Sequence, residues 1–288
     1  MLADYHLHSE FSDDSRTPME KQIEAAIKKG IGEICFTEHV DYGIKKDWDE
    51  DDLPIEYGDG ISIPVDEFEI AANCNYPEYF LKLDRMRKTY RDKITIKNGL
   101  EFGIQMHTVD KYKNILKKYG DLLDFILISF HQINDLELWN GQHMKNKTQD
   151  QYNKEYYEEM LRIVKSFKDY DVLAHCDLIA RYDPNGNYPF EKIKDILTDI
   201  FKVVIADGKG IEINTSSWHY KLKDTMPARD VLKLYYDLGG RIITIGSDGH
   251  NPEYVGDHFE DAINVLKEIG FNQFYTYDKH QAIGHNFK

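Results

Sequence analysis

The hydrophobic positions of this chain form short β-rich runs that alternate with amphipathic helical stretches. Several runs are continuous and aliphatic, such as Phe125–Ile128, and this pattern is typical of strands buried on both faces of a parallel sheet. The predicted strands are Leu2–His6, Glu33–Thr37, Ile94–Leu100, Asp124–Ser129, Asp171–His175, Gly210–Asn214 and Arg241–Gly246, with a late run at Gln273–Tyr277. The predicted helices are Pro18–Lys29, Val109–Tyr119, Gln151–Lys168, Phe190–Ala206, Ala228–Leu238 and Asp257–Ile269.

Strand and helix alternate seven or eight times without an obvious linker between them. This order predicts one α/β domain over residues 1–288, folded as a parallel (β/α) barrel of the TIM type. Residues 41–77 are the exception, because they contain an acidic run at 47–52 and several prolines and glycines. We interpret this segment as a loop insertion over one face of the barrel, either a lid or a solvated surface loop.

Composition and charge narrow the classes of partner. The chain has 36 basic and 51 acidic residues, and its net charge of -15 disfavours a broad surface that tracks nucleic-acid phosphates. An acidic protein can still bind a phosphorylated small molecule if bound cations reverse the charge locally. The apolar runs are far shorter than the ~20 residues of a membrane span, and the N-terminus does not resemble a signal peptide. Three scattered cysteines argue against a disulfide framework, so we expect a cytoplasmic protein.

Histidines and acidic residues recur at the carboxyl ends of the predicted strands. They are His6 and His8 at the first strand, His39 at the second, Glu101 at the third, His131 at the fourth, His175 at the fifth, and Asp248 and His250 at the seventh. In a parallel barrel these ends lie on one face, so the side chains should converge. Each one alone has an ordinary explanation, such as a hydrogen-bonded histidine or a helix cap. Six imidazoles and two carboxylates together are instead natural ligands of divalent metals.

The first strand carries the most specific spacing of this set. His6 and His8 are two residues apart, so on a strand both rings point to the same side and can reach one ion. The segment that follows supplies two neighbouring aspartates, Asp13 and Asp14, before the first predicted helix. One of them could be a metal ligand and the other a residue of the helix entry.

Together these segments resemble a known family. They are Asp4–Ser15, Phe36–His39, Gly99–Gly103, Ser129–His131, Ala174–Ile179, Glu212–Ser216 and Gly246–His250. Their residues and order are similar to the polymerase-and-histidinol-phosphatase (PHP) superfamily, and more narrowly to its free-standing histidinol-phosphatases. The resemblance runs from Asp4 to about His258 and implies a distorted seven-stranded β/α barrel that holds three metal ions.

The resemblance also implies which residues hold each ion. The first ion would be bound by His6, His8, Glu101 and Asp248, the second by Glu101, His131 and His175, and the third by Asp14, His39 and His250. Asp14 is favoured over Asp13 because it matches the aspartate-serine ending of the family segment, although related branches space this aspartate differently. The ligand types suit zinc, iron and manganese equally.

The activity that the resemblance implies is metal-dependent hydrolysis of a phosphate monoester. The favoured substrate is L-histidinol phosphate, which would yield L-histidinol and phosphate in histidine biosynthesis. Asp248 or His250 could supply the proton that the leaving alkoxide needs. The alternatives are another small phosphate ester or a nucleotide, a 3′–5′ exonuclease-like activity, and a catalytically inactive metal-binding module. A homodimer remains open.

Four further residues are candidates for substrate binding. Arg16 and Arg181 are the cations placed to contact phosphate, although ion pairs at the surface would explain them as well. Glu212 and Asn214 end the sixth predicted strand, where they could meet the amine and imidazole of histidinol or hydrogen-bond metal ligands. Among the histidines outside these motifs, His219 is expected nearest to the substrate.

Overall fold

The computed structural model of the protein describes residues 1–49 and 72–287. Residues 50–71, which form the middle of the predicted 41–77 insertion, lie outside the described residues. The interpretation of this segment as a lid or a surface loop therefore falls outside the described residues for that part. None of the helices in the described ranges combines the length and apolar character that crossing a lipid bilayer requires.

Seven parallel strands form the central sheet. In chain order the strands of the described residues are β1 (Ala3–Leu7), β2 (Glu33–Val40), β3 (Thr95–Gly103), β4 (Phe125–Ser129), β5 (Gln132–Ile133), β6 (Leu136–Glu137), β7 (Val172–Leu173), β8 (Gly210–Asn214), β9 (Ile243–Gly246), β10 (Gln273–Asp278) and β11 (Gln281–Asn286). The sheet has the order β1-β2-β3-β4-β7-β8-β9, and β5-β6 and β10-β11 are separate hairpins.

The two edge strands of this sheet meet at their carboxyl ends. Leu7 forms a parallel bridge with Gly249, and the Asp248 amide donates a hydrogen bond of 2.8 Å to the His6 carbonyl. Since β1 and β9 are thereby joined, the sheet is a nearly closed seven-stranded barrel. This confirms the predicted fold class.

Nine α-helices of the described residues accompany the strands. They are α1 (Met19–Lys28), α2 (Tyr76–Tyr90), α3 (Val109–Tyr119), α4 (Gln149–Ser166), α5 (Ile179–Tyr182), α6 (Phe190–Ala206), α7 (Ser216–His219), α8 (Arg229–Asp237) and α9 (Phe259–Ile269), with short 3-10 turns at Met106–Thr108 and Gly120–Leu122. Helix α2 was not predicted. Tyr76, Tyr79 and Leu83 are buried and Phe80, Met86 and Tyr90 pack beside them, but the exposed Leu81 lies outside this face and weakens the helical period of the sequence.

Two strands are longer than predicted. β2 continues to Val40 and β3 to Gly103, each three residues past the predicted end, and in this register His39 lies opposite Glu101. Both strands extend past their predicted ends because their last residues include buried charged side chains, and such residues have the pattern of a loop. β7 is shorter than predicted and covers Val172–Leu173 alone.

The amino-terminal end of the barrel is sealed by aromatic side chains. The Tyr5 ring lies 5.0 Å from that of Phe125 across the barrel, and Tyr277 of β10 packs against both rings. The backbone amide of His280 donates to the carbonyl of Asp124, which precedes β4. The β10-β11 hairpin therefore covers this end, and the carboxyl-terminal end is left for ligands.

Candidate metal centre

Glu101 is the hub of the residues predicted to bind metal. Its carboxylate is fully buried and accepts a hydrogen bond from the Ser129 hydroxyl. Five imidazoles surround its two oxygens: His131 at 3.1 Å and His175 at 3.0 Å from Oε1, and His6 at 3.1 Å, His39 at 3.0 Å and His8 at 3.5 Å from Oε2. Burial alone would raise the pKa of this carboxyl, but the imidazoles, His6 first, outweigh burial and hold the pKa well below its usual range.

The loop after β9 adds the other predicted carboxylate. Asp248 Oδ1 lies 3.7 Å from His6 Nε2, 3.5 Å from His8 Nε2 and 3.7 Å from His250 Nδ1. Burial, together with the neighbouring His39 and His250, keeps the pKa of His8 well below its usual value. This environment favours the neutral form of the His8 imidazole, which is the form that coordinates a metal ion.

The loop after β1 supplies Asp14. Its Oδ2 atom lies 3.4 Å from His39 Nε2 and 3.2 Å from His250 Nε2. The neighbouring Asp13 is directed elsewhere, since its Oδ1 forms an ion pair of 2.6 Å with Lys45. The structure therefore brings all nine predicted ligands into one cluster, with Asp14 facing the imidazoles and Asp13 turned to a lysine.

The donor atoms of this cluster fit divalent metal ions. Six nitrogen and oxygen atoms of the predicted ligands are buried without a hydrogen bond among the described residues: Nε2 of His6, His8 and His250, Nδ1 of His39 and His175, and Oε2 of Glu101. Four sets among the described residues have donor atoms within 4.8 Å of one another: His6, His8 and Asp248; His8, His39 and His250; His39, Glu101 and His131; and His6, His175 and Glu212, of which Glu212 is not a predicted ligand. Unpaired imidazole nitrogens and carboxylate oxygens at this spacing are what zinc, iron or manganese would satisfy.

The second nitrogen of most of these imidazoles is held by another group of the chain. The contacts are His6 Nδ1 to Glu212 at 2.7 Å, His8 Nδ1 to Ser12 at 3.0 Å, His131 Nδ1 to Asp41 at 2.8 Å, and His250 Nδ1 to the Asp248 carbonyl at 2.9 Å. Such contacts fix the ring orientation and the tautomer of a metal-binding histidine. The Asp41 and Glu101 carboxylates also outweigh burial and raise the pKa of His131 to about 9.

Glu212 and Asn214 do not lie where the substrate-binding prediction puts them. Both are fully buried and are not among the side chains that line the cavity beside the ligands. The Glu212 carboxylate accepts from the His6 ring, from the His175 amide at 3.1 Å and from Asn214 Nδ2 at 3.1 Å. The reason is that β8 directs these side chains into the barrel interior, where they contact ligands instead of solvent.

Sequence analysis missed two charged residues beside the ligands. Asp41, in the segment interpreted as an insertion, holds His131, and Lys45 lies 2.7 Å from Asp41 and 2.6 Å from Asp13. The position of Asp41, one residue after β2 and two after His39, was the only available signal. Lys45 gave none, because lysines such as the adjacent pair Lys45 and Lys46 are common in loops.

A cavity of about 680 Å³ opens next to the ligand cluster. One wall carries Arg181, whose guanidinium hydrogen-bonds Ser216, lies 3.7 Å from Asp248 and is stacked 4.2 Å from the Tyr220 ring. The remaining aromatic side chains of the wall are Trp139, Tyr182, His219 and Tyr254. His219, expected nearest to the substrate among the histidines outside the motifs, thus lines this cavity, and its contact with a substrate stays a prediction. Arg16 is exposed and does not line this cavity.

Comparison with known proteins agrees with this geometry. A family model described as PHP domain matches residues 4–216. The chain is 31% identical to the histidinol-phosphatase of Lactococcus lactis over 279 residues, which cover 95% of this chain and 93% of that protein. It also superposes with a TM-score of 0.80 and 28% identity on the crystal structure of histidinol phosphate phosphatase from Lactococcus lactis complexed with zinc, L-histidinol and phosphate, covering 98% of each chain.

A nearly closed parallel barrel with histidines and carboxylates at its carboxyl-terminal mouth defines the class, and the chain belongs to the PHP domain family. Within that family it is similar to histidinol-phosphatases over almost their entire length.

Proposed function

We propose that this protein is a metal-dependent phosphatase that hydrolyses L-histidinol phosphate to L-histidinol and phosphate in histidine biosynthesis. The observation that carries the proposal is the cluster of nine ligands around Glu101, which opens directly into a cavity that holds the buried cation Arg181. The similarity to the Lactococcus lactis enzyme, which binds L-histidinol and phosphate with zinc, supports this substrate.

The same proposal assigns three divalent ions to the cluster. His6, His8, Glu101 and Asp248 would hold the first, Glu101, His131 and His175 the second, and Asp14, His39 and His250 the third. The position of Glu101 between five imidazoles supports its role as the shared ligand. Zinc, iron and manganese all suit these ligands.

Bound ions would offset the charge of the phosphate group and lower the pKa of water to near neutrality. The chain itself supplies the rest of the chemistry. Arg181 binds phosphate, since its guanidinium lines the cavity beside Asp248 and offers the charged N–H donors that a phosphate group accepts from. Asp248 or His250, at the cavity wall, protonates the leaving alkoxide. The aromatic side chains that line the cavity contact the imidazole of the substrate.

Glu212 and Asn214 have a different part in this proposal from the one predicted. Since Glu212 bonds the rings and backbone of two ligands, it orients His6 and His175, and Asn214 orients Glu212. We further propose that residues 1–288 form one domain. A cytoplasmic location and a homodimer stay predictions.

The competing activities act on different substrates, so one set of assays separates them. Phosphate release is measured from L-histidinol phosphate, a mononucleotide and a single-stranded oligonucleotide, and bound metals are counted by elemental analysis. We expect metal in the purified protein and a kcat/KM for L-histidinol phosphate far above the other two. A preference for the mononucleotide or the oligonucleotide would replace the proposed substrate, and metal without any turnover would favour an inactive metal-binding module.

Glu101→Gln tests the metal centre itself. Glutamine keeps the shape of the side chain but removes the negative charge that faces five imidazoles and the ions. We therefore expect loss of bound metal and a fall in kcat larger than the ~100-fold seen when a residue that only hydrogen-bonds a metal ligand is changed. Glu159→Gln is the matched control, because Glu159 is also buried but accepts its hydrogen bond from the Met106 amide, at 2.7 Å, outside the cluster. Equal metal content and activity in the two variants would refute the assignment.

A further inference from the structure

Asp4 is a fully buried acidic residue of β1 whose carboxylate uses both oxygens as acceptors. Oδ1 accepts from the amides of His6 at 3.3 Å and Ser247 at 2.9 Å. Oδ2 accepts from the Ser247 hydroxyl at 2.6 Å and the Gly256 amide at 2.9 Å. Three of the four donors thus belong to the segment that follows β9, on the other edge of the sheet.

That segment carries Asp248 and His250, and its backbone is unusual at Asp248. The φ angle of Asp248 is 55°, in the left-handed region that residues other than glycine seldom adopt. The amide of Ser247 is held by Asp4, and the next amide, that of Asp248, is held by the carbonyl of His6. Two consecutive amides are therefore fixed to β1. Such a conformation persists only where the surroundings determine it.

We propose that Asp4 is a positioning residue that holds Asp248 in its left-handed conformation and so keeps the Asp248 carboxylate directed at the ions. This inference rests on the proposed function, in which Asp248 is a metal ligand. The hydrogen bonds of Asp4 keep Asp248 Oδ1 within 3.5 Å of His8 Nε2 and 3.7 Å of His6 Nε2.

An asparagine at this position could not replace the carboxylate. An amide group has one acceptor oxygen, so its NH2 group would face the amide of Gly256 and the hydroxyl of Ser247 in place of an acceptor. The Gly256 amide would lose its partner, and the loop that carries Asp248 would lose part of its attachment to β1.

Because Asp4 also joins β1 to the region after β9, a purely structural role must be separated from a positioning role. Asp171 offers a matched control. It is also a buried carboxylate of the barrel, and it accepts from the Ile126 amide at 2.8 Å and from the His280 ring at 2.8 Å, at the end opposite the ligands. A structural role predicts that Asp4→Asn and Asp171→Asn lower the melting temperature alike and change nothing else.

The experiment compares full-length wild type, Asp4→Asn and Asp171→Asn. The melting temperature, the metals retained per chain after gel filtration, and the kcat and KM for L-histidinol phosphate are measured. We expect both variants to melt earlier, but only Asp4→Asn to retain less metal and to lose about 10- to 100-fold in kcat, with a much smaller change in KM. Metal content and kcat equal to those of Asp171→Asn would overturn the inference.

Two further outcomes are distinguishable. If Asp4→Asn does not fold, Ser247→Ala, which removes only the 2.6 Å bond to Asp4, decides the matter. Reduced metal retention in this variant supports the positioning role, and unchanged retention overturns it. If the wild type binds metal but leaves L-histidinol phosphate intact, the proposed substrate fails, whereas the metal retention of Asp4→Asn still tests the role of Asp4.

Discussion

Two adjacent aspartates in the loop after β1 differ in what surrounds their carboxylates. The side chain of Asp14 is 53% exposed and faces His39 and His250, whereas that of Asp13 is 13% exposed and pairs with Lys45. Partial desolvation would raise the pKa of Asp14, but the imidazoles of His250 and His39 hold it well below its usual range. An ionised carboxylate that reaches two imidazoles while open to the cavity is suited to bind a metal, and one neutralised by a lysine is not.

The first prediction compares these two residues. Asp14→Asn removes the negative charge facing His39 and His250, so we expect it to weaken metal binding and to lower kcat by at least about 10-fold. Asp13→Asn removes only one of the two carboxylates that pair with Lys45, and Asp41 remains as the other, so its effect on kcat should be much smaller. Metal titrations followed by steady-state kinetics measure both effects. A larger loss of kcat in Asp13→Asn would mean that the ligand register is displaced by one residue.

At the residue scale, site residues could be predicted from the sequence where histidines and carboxylates recur at the ends of predicted strands. His6 and His8 could be predicted because their spacing puts both rings on one side of a strand, and the structure brings them to the same carboxylate. Asp41 could not, because a single polar residue after a strand has the same pattern whether it bonds to a ligand or to water. Glu212 was a candidate for substrate binding because it is a polar residue at a strand end. Whether its side chain faces the barrel interior or the cavity depends on the closed barrel and cannot be predicted from the local sequence.

At the scale of elements, the extension of β2 and β3 places the ligands. Since these strands pair as far as Val40 and Phe102, His39 comes opposite Glu101, and Gly103 ends β3 against Asp41 and the His131 ring. A Cβ atom at Gly103 would overlap the Asp41 carboxylate and lie 3.0 Å from His131 Nδ1. This position therefore requires glycine because of a close approach.

We expect Gly103→Ala to push Asp41 away from His131 and so to lower metal affinity and kcat by about 10-fold or more. Gly120→Ala is the control, because its φ is -55° and a Cβ there would come no closer than 3.9 Å to Leu116. Kinetics and metal retention are measured for both variants at a temperature where circular dichroism shows both folded. If Gly103→Ala keeps wild-type activity, the contact between Asp41 and His131 does not support the site.

Most elements could be predicted because their periodicity is strong, and the failures share a cause. Helix α3 matches its prediction residue for residue, and α6 does so too. The ends of β2 and β3 were placed too early, and α2 was missed, as were the shorter elements α5, α7, β5, β6 and β11. These elements are regular because of their tertiary contacts, and such contacts are not visible in a local pattern.

At the scale of the whole molecule, the barrel separates its two ends by chemistry. The carboxyl-terminal end gathers the imidazoles and carboxylates, and the amino-terminal end is closed by Tyr5, Phe125 and Tyr277. The barrel itself could be predicted, since a chain of alternating strands and helices can fold into only a few architectures. The seal by the β10-β11 hairpin could not, because nothing in its sequence tells which end of the barrel it covers.

The hairpin seal provides a pH-dependent contact far from the ligands. The ring of His280 bonds to the buried carboxylate of Asp171 at 2.8 Å, and this bond raises the pKa of His280 above its usual value. The bond therefore contributes fully below the unfolded-state pKa of ~6.5, and its contribution is lost as the pH rises through the folded-state pKa. Because the His280 side chain is 36% exposed, we expect a contribution below about 1 kcal/mol.

His280→Asn tests this contact, because asparagine tolerates the φ of 63° at this position and has no charge to lose. Urea unfolding of wild type and variant is measured at pH values of about 5.5 and 9, on either side of the transition. The wild type should exceed the variant in unfolding free energy by more at the lower pH, while contributions from the metal centre are common to both and cancel in the difference. A difference that is the same at both pH values would show that His280 stabilises the seal only as a neutral ring.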